Sequence, residues 1–474
     1  MIRFILNEKE ISVDLPAGEL LLDFIRYREH LTGTKIGCRE GDCGACVVLI
    51  GDIRNGELHY QSVTSCLVAL GNVHGKHVVT IEGINTDELN PLQHAMSEEG
   101  ATQCGFCTPG FVVSLAGFCL SNKEPSYDNA IASINGNICR CTGYKSIERA
   151  AARITTLVEE RRGGEVVKFV TLKNILPRYF GSVKQKLYTL LSETNGLLNE
   201  KDSTKFLGGG TDLYVQQPEA MESADINFLL NHKNLKGISI QENKCVIGAA
   251  STATDLVESS ILQDYFPEIT RFIKLVASTP IRNMATIGGN LVNASPIGDF
   301  TIFFLALDAQ IVLNDNEQIR ELPLKEFYKE YKIIEKTSGE LIEKIWFQLP
   351  DKNARFNFEK VSKRTHLDIA SVNSAISITT DGPTIISASL SAGGVAPVPL
   401  YLSKTSAFLK NKILSEEIID ETIQIAQSEI FPISDARGSE EYKQLLLSQL
   451  IKAHFITLFP SLNIKTILKI EAGG

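Results

Sequence analysis

Apolar and polar residues alternate from the start of the chain, with Ile2, Phe4 and Leu6 ahead of a polar break at Asn7 to Glu10, and Ile11, Val13 and Leu15 after it. Two runs of period two around a polar turn predict a β-hairpin. Over 19–31 the spacing becomes helical through Leu20, Leu21, Phe24 and Ile25, and short apolar segments return over 47–50 and 62–70. This order predicts a small β-grasp domain over residues 1–84. From Pro91 the helical period takes over, with helices expected over 92–100, 109–121, 128–135 and 146–162, a four-helix bundle occupying residues 85–162. Arg161 and Arg162, then Gly163 and Gly164, mark the end of its last helix and the first large boundary. The stretch 168–205 reads as helices without recognisable chemistry, and mixed elements continue to about residue 354. Further on, 375–380 and 384–390 alternate around Asp381 and Gly382, a hairpin signal. Helices are expected from Ser415, with Glu416 and Glu417 in the first turn, and from Ser439 through Ile456, where Tyr442, Leu446 and Leu450 form one face. The pattern as a whole predicts a multidomain α+β protein: β-grasp 1–84, helical bundle 85–162, α/β domain 168–354 and C-terminal α+β domain 355–474.

Chemistry first appears in the loop KIGCREGDCGAC, which places Cys38, Cys43 and Cys46 together before a lone Cys66. That spacing is the plant-type 2Fe-2S pattern. Gly37, Gly41 and Gly44 let the loop curl tightly enough for amide N–H groups to face the sulfurs. Four more cysteines follow as QCGFCTPG and NICRCTGY, giving Cys104, Cys107, Cys139 and Cys141 at the ends of expected helices. A second four-thiolate set directly after a ferredoxin-type one favours a second 2Fe-2S cluster. Zinc also takes four thiolates and stays open as the alternative. Cys119 and Cys245 lie in apolar segments and read as small buried hydrophobes.

Two glycine turns follow, FLGGGTDL around Gly208, Gly209 and Gly210, and TIGGNLVNASPIGD around Gly288, Gly289 and Asn290. Consecutive backbone N–H groups in such turns can wrap a pyrophosphate. Neither is the GxGxxG fingerprint, and an ordinary tight turn fits each alone. Two of them about eighty residues apart suggest one diphosphate ligand held from two strand ends.

The 474 residues carry a net charge of −9 with no lysine or arginine block, which argues against nucleic acid or an anionic membrane as partner. The apolar runs 111–120 and 300–307 fall short of the ~20 residues of a membrane-spanning helix. The start, MIRFILNEKE, is interrupted by Arg3 and by the polar stretch from Asn7 to Glu10, so no secretory signal is expected. A cytoplasmic protein with reduced cysteines is the expectation.

Taken together, GCREGDCGACVV, QCGFCTPGF, NGNICRCTGY, LGGGTDL, TIGGNLVNASPIGD and KVSKRTHLDIASVNSA resemble the molybdenum hydroxylases over essentially the whole chain. The resemblance is to the iron-sulfur and flavin subunit, and the fusion of these domains favours the purine-oxidising members, which convert hypoxanthine and xanthine to urate. It implies that Cys38, Cys43, Cys46 and Cys66 hold the cluster nearer the flavin, and Cys104, Cys107, Cys139 and Cys141 the one nearer molybdenum. Gln103 would contact the molybdopterin of a partner subunit. Leu207, Gly208, Gly209, Gly210 and Thr211, with Gly288, Gly289 and Asn290, would face the FAD phosphates. Ser295 and Asp299 would lie along the ribityl and adenosine side, and Lys360 near the isoalloxazine ring, stabilising negative charge on reduced flavin. NAD+ is the implied final acceptor, although the position before Asp368, acidic in some NAD-using relatives, is Leu367. Nothing in the chain resembles the long molybdenum-binding domains, so the implied partner is a molybdenum-cofactor-binding large subunit, in a heterodimer or heterotetramer. An aldehyde or N-heterocycle hydroxylase partner, or a non-enzymatic zinc-binding scaffold, are the competing readings.

Overall fold

The computed structural model of the chain describes residues 1–161, 165–194, 205–315, 317–364 and 367–460. The boundary read from Arg162, Gly163 and Gly164, the end of the 168–205 stretch, and the Thr365–His366 part of the last motif lie outside the described residues. By compactness the chain divides into two units, Met1–His232 with Ser278–Ala285, and Lys233–Ala277 with the residues from Thr286 onward. This division cuts through the stretch 168–354 expected to be one domain.

In the first unit, β1 (Ile2–Leu6) and β2 (Lys9–Val13) form the expected hairpin, with Lys9 and Glu10 in the second strand rather than the turn. With β3 (Val47–Arg54), β4 (Glu57–Thr64) and β5 (His77–Val79) they make a mixed sheet in the order β2-β1-β5-β3-β4, where only the β1–β5 pair is parallel. The expected helix over 19–31 is shorter, a turn Leu21–Asp23 continuing as a π-helix Phe24–Arg28, and it buries Leu21, Phe24 and Ile25 against the sheet. The four expected bundle helices form as Pro91–Glu98, Thr108–Leu120, Tyr127–Ser133 and Lys145–Glu159. Asn90 caps the first of them, its side chain accepting from the N–H groups of Leu92 and Gln93. Thr108–Leu120 is apolar on nearly every side because it is enclosed, sharing one core with Val47, Leu49 and Val79 of the sheet and with Leu92, Ile147 and Ile154. The helix Phe180–Thr194 lays Val183, Leu187 and Leu190 against Ile5 of β1. Its sequence shows no chemistry because it covers a sheet.

The second unit begins with β8 (Ile238–Gln241) and β9 (Lys244–Gly248) and continues with β10 (Gln310–Asn314) and β11 (Ile319–Pro323), joined by Leu341–Gln348 in an antiparallel sheet. A group of rings, Phe266, Phe272, Phe303, Phe304, Phe347, Phe356 and Phe358, fills its core largely edge to face. The expected hairpin forms between Val372–Asp381 and Thr384–Gly393, within a second, four-stranded sheet. Ser415 and Ser439 cap Glu416–Gln427 and Glu440–Leu458 through their hydroxyls. The buried face of the last helix matches the expected one at Leu446 and Leu450 but not at Tyr442. It runs through Leu446, Leu447, Leu450, Ile451, His454 and Phe455, whereas Tyr442 is 44% exposed. At the N-terminal end the buried place falls to Lys443, which pairs with Asp435, rather than to its neighbour Tyr442. Among the described residues no helix is long and apolar enough to cross a membrane.

His454 on that helix is fully buried, and its Nδ1 meets the Asn357 Nδ2 at 2.9 Å. Asn357 also donates to Glu359 and accepts from Arg271, which fixes its amide orientation and makes Nδ1 the acceptor. Burial, with the Arg271 charge adding to it, holds the imidazole at about 3 against an ordinary 6.5. A proton taken up by the unfolded chain below pH 6.5 is therefore refused by the folded one until about pH 3. This contribution is complete above the ordinary value and falls as pH drops through that window, by about 1.4 kcal/mol per pH unit. His454→Gln should flatten the acid limb of stability measured by denaturant unfolding between pH 6 and 4; an unchanged slope would show the site to be hydrated.

Candidate cluster and flavin sites

The loop between the π-helix and β3 brings Cys38 and Cys43 together, while Cys46 at its end meets Cys66 on the turn after β4. The Cys43 thiol hydrogen-bonds Cys38 and draws its pKa down to about 5, with the N–H of Glu40 adding a contact at 3.3 Å; Cys43 is pushed up in return. The same exchange lowers Cys46 and raises Cys66, both buried. Each pair thus already favours a thiolate. Cys38 acts electrostatically on both members of the second pair, so the two pairs face one locus.

The second set behaves alike. Cys141 and Cys104 stand 3.5 Å apart, and Cys107 pairs with Cys139. The backbone N–H of Phe106 heads the causes that lower Cys104, and burial raises Cys107 to about 12. Burial works to raise Cys139 as well, but donors on Thr142, its hydroxyl at 3.1 Å and its N–H at 3.4 Å, outweigh it and the pKa falls. Cys104 and Cys141 are exposed, as are Gln103, Phe106 and Ile138 beside them.

Among the described residues no three His, Cys, Asp or Glu converge as a single-ion site would require. The thiols meet two by two instead, the donor arrangement a two-iron cluster takes with two thiolates on each iron. The paired thiols therefore fit 2Fe-2S clusters. Cys119 and Cys245 are buried in the two cores and pushed up to about 12 by burial.

The first glycine turn belongs to the first unit and follows β6 (Lys205–Leu207), which pairs in parallel with β7 (Ile226–Phe228). Its carbonyls are tied down: Leu207 accepts from the Leu229 N–H, Gly208 from Asn72 Nδ2 at 3.0 Å, and Gly210 from the Tyr214 N–H. Because peptides are planar and trans, the Gly209 N–H points away from Asn72, as a phosphate cradle requires. Gly209 has no room for a side chain, since a Cβ would lie 1.7 Å from the Met284 carbonyl oxygen. Asn72 was not legible in advance; it lies in a short turn whose sequence carries no motif.

The second turn, in the second unit, differs from the open nest expected. Gly288, Gly289 and Asn290 form the first turn of helix Ile287–Asn293, and their N–H groups go to Ala249 O, Thr286 Oγ1 and Thr286 O. The polar group this turn leaves unspent is the Asn290 Oδ1, buried without a partner. Ser295 Oγ accepts from the Ile297 N–H. Lys360 and Asp299 come together as an ion pair at 2.8 Å, the lysine side chain 2% exposed and also donating to Leu275 O. Asn373 Nδ2 holds the other Asp299 oxygen at 2.6 Å while its own Oδ1 is buried and unpartnered. Asn373 was missed, although an asparagine at a buried position of a strand is the signal that would find it.

Four family models match in order: a 2Fe-2S iron-sulfur cluster binding domain over 4–70, a [2Fe-2S] binding domain over 80–152, an FAD binding domain in molybdopterin dehydrogenase over 187–350, and a CO dehydrogenase flavoprotein C-terminal domain over 358–458. Xanthine dehydrogenase of Emericella nidulans is 30% identical over 87% of this chain and 35% of its own length, and xanthine dehydrogenase 1 of Arabidopsis thaliana 26% identical over 92% and 38%. The chain thus spans just over a third of these relatives. Reconstituted CO dehydrogenase from Oligotropha carboxidovorans is a solved structure similar over 52% of this chain and 87% of its own, at 26% identity and a TM-score of 0.50. Quinoline 2-oxidoreductase from Pseudomonas putida 86 shares the fold over 58% of this chain and 94% of its own, at 19% identity and a TM-score of 0.50.

Two consequences can be measured. Cys43→Ser should perturb one electron paramagnetic resonance signal of the reduced protein and Cys107→Ser the other; loss of both signals from either change, with folding intact, would contradict two separate sites. Gly209→Ala forces a backbone to move and should cost about 2–3 kcal/mol or more, read as a lower Tm together with lost FAD, whereas a fully stable, FAD-loaded variant would show the turn to be loosely packed.

Proposed function

Because the chain belongs to the molybdenum hydroxylase family and carries its cluster and flavin domains, we propose that it is the electron-transfer subunit of a xanthine dehydrogenase. Electrons from purine oxidation at a molybdenum cofactor on a partner chain would enter at Cys104, Cys107, Cys139 and Cys141, pass to the set at Cys38, Cys43, Cys46 and Cys66, reach FAD, and leave to NAD+. The observation that carries this reading is the presence of two complete sets of paired thiols and a matched flavin domain in one chain. FAD, when bound, turns single-electron deliveries into the two-electron hydride that NAD+ accepts. The chain's own residues would bind and orient: Leu207 to Thr211 toward the phosphates, Gly288 to Asn290 toward them through the Asn290 amide because their N–H groups are spent within the helix, Ser295 and Asp299 toward the ribityl and adenosine side, and Gln103 toward the partner's molybdopterin. The domain limits 1–84, 85–162, 168–354 and 355–474 and a cytoplasmic location belong to the same proposal. The match to a CO dehydrogenase flavoprotein domain favours a second reading, the same carrier beside a partner that oxidises another substrate, such as an aldehyde or N-heterocycle.

Lys360 is assigned to the flavin ring, and its pairing with Asp299 sharpens the expectation. Lys360→Met leaves the carboxylate behind, so it should lower the flavin potential, and Asp299→Asn should raise it; breaking so buried a pair should also cost about 3–5 kcal/mol. A potential unmoved by either change, with FAD still bound, would place the pair away from the ring. The functional test is division of labour: the isolated chain should pass electrons from NADH to an artificial dye yet fail to oxidise xanthine. Adding the molybdenum partner should restore xanthine oxidation, and Cys139→Ser should abolish that while sparing NADH-to-dye transfer. Xanthine oxidation unaffected by Cys139→Ser would overturn the order of carriers.

A further inference from the structure

The two cysteine sets are joined within the first unit by backbone lying directly on backbone. The Ile138 N–H, one residue before Cys139, donates to the carbonyl of Cys43 at 3.0 Å. Asn137, buried at 5% exposure, donates from Nδ2 to the Gly44 carbonyl at 3.0 Å, and its Oδ1 accepts from Ser114 Oγ at 2.8 Å. No side chain could stand between the loops. A Cβ on Gly44 would lie 2.3 Å from the Gly136 carbonyl oxygen, and one on Gly110 2.3 Å from the Gly44 carbonyl oxygen. Gly44 also has φ +67, so it is glycine on two counts.

Resting on the cluster assignment above, we propose that Asn137 is a positioning residue that clamps the two cysteine loops together and so sets the electron route between them. The route runs from Cys139 Sγ along the backbone to the Ile138 N–H, across one hydrogen bond to the Cys43 carbonyl, and on to Cys43 Sγ. With both clusters bound, one electron would cross, oxidising the cluster held by Cys104, Cys107, Cys139 and Cys141 and reducing the one held by Cys38, Cys43, Cys46 and Cys66, with no bond made or broken and no proton moved. Asn137 suits the task because its amide donates to one loop while its oxygen is anchored on the helix Thr108–Leu120. Both of its polar ends are satisfied, so removing the side chain leaves Gly44 O and Ser114 Oγ without these buried partners.

The test uses the full chain with both clusters loaded and reduced. Wild-type protein should show mutual magnetic splitting between the two clusters and a slowly exchanging Ile138 amide. Asn137→Ala should keep its iron and each cluster's own resonance but lose the splitting, and Ile138 should exchange faster. Asn137→Asp, the same shape without the donor to Gly44, should give the same loss and serves if the alanine variant does not load. A merely structural asparagine would lower Tm and leave the splitting and the Ile138 protection in place, and that result in either variant overturns the proposal. If wild-type protein holds zinc or one cluster, the cluster reading fails by itself. Ile138 exchange in unloaded protein then still decides whether Asn137 joins the loops.

Discussion

The packing of the first unit depends on one close approach, that of Ser278–Ala285 to the loops that carry the chemistry. This short segment comes late in the chain yet belongs with the first unit. Ile281 lies where a Cβ on Gly41, between Cys38 and Cys43, would be 2.6 Å away. The Thr279 N–H and hydroxyl bond to Asn135 Oδ1 and Ala132 O, both at 2.9 Å, just ahead of Cys139. Asn283 Nδ2 donates to Ser62 O at 2.8 Å, four residues before Cys66, and the Met284 carbonyl fills the space beside Gly209. One segment thus touches both cysteine loops and the first glycine turn. These contacts are close packing against backbone or hydrogen bonds to backbone and amide groups, the kind that tolerates little displacement.

That constraint explains the distribution of small residues better than loop flexibility does. Gly209 is forbidden a side chain by a neighbouring backbone rather than by its own dihedral angles, and Gly44 by both. Tyr214, just past the turn, reaches back to the Gly18 carbonyl at 2.7 Å and fastens the same region from the other side. In the proposed role as an electron carrier such rigidity has a purpose, since a route between carriers is only as dependable as the loops that hold them.

The cysteine sets were readable because ligand spacing is a local property, and the helices were readable because their caps are too. Ser415 and Ser439 each accept a backbone N–H at the start of the helix they precede. Contacts between distant parts of the chain left no local mark. The return of Ser278–Ala285 to the first unit, the Asn72 bond to Gly208 and the Asn137 bond to Gly44 span sequence separations that no periodicity encodes. The second glycine turn looked like the first in sequence, but there the N–H groups of Gly288, Gly289 and Asn290 are spent on Ala249 O and on Thr286, which caps a helix. Lys360, unremarkable as an isolated residue, is a buried ion pair because Asp299 and Leu275 O await it.

The central claim is that the paired thiols hold iron-sulfur clusters beside a flavin on one chain. Determination of iron, acid-labile sulfide and FAD on the purified chain tests it most directly. The account predicts about four irons, about four labile sulfides and about one FAD per chain. Zinc in place of iron, or iron without labile sulfide, would contradict it.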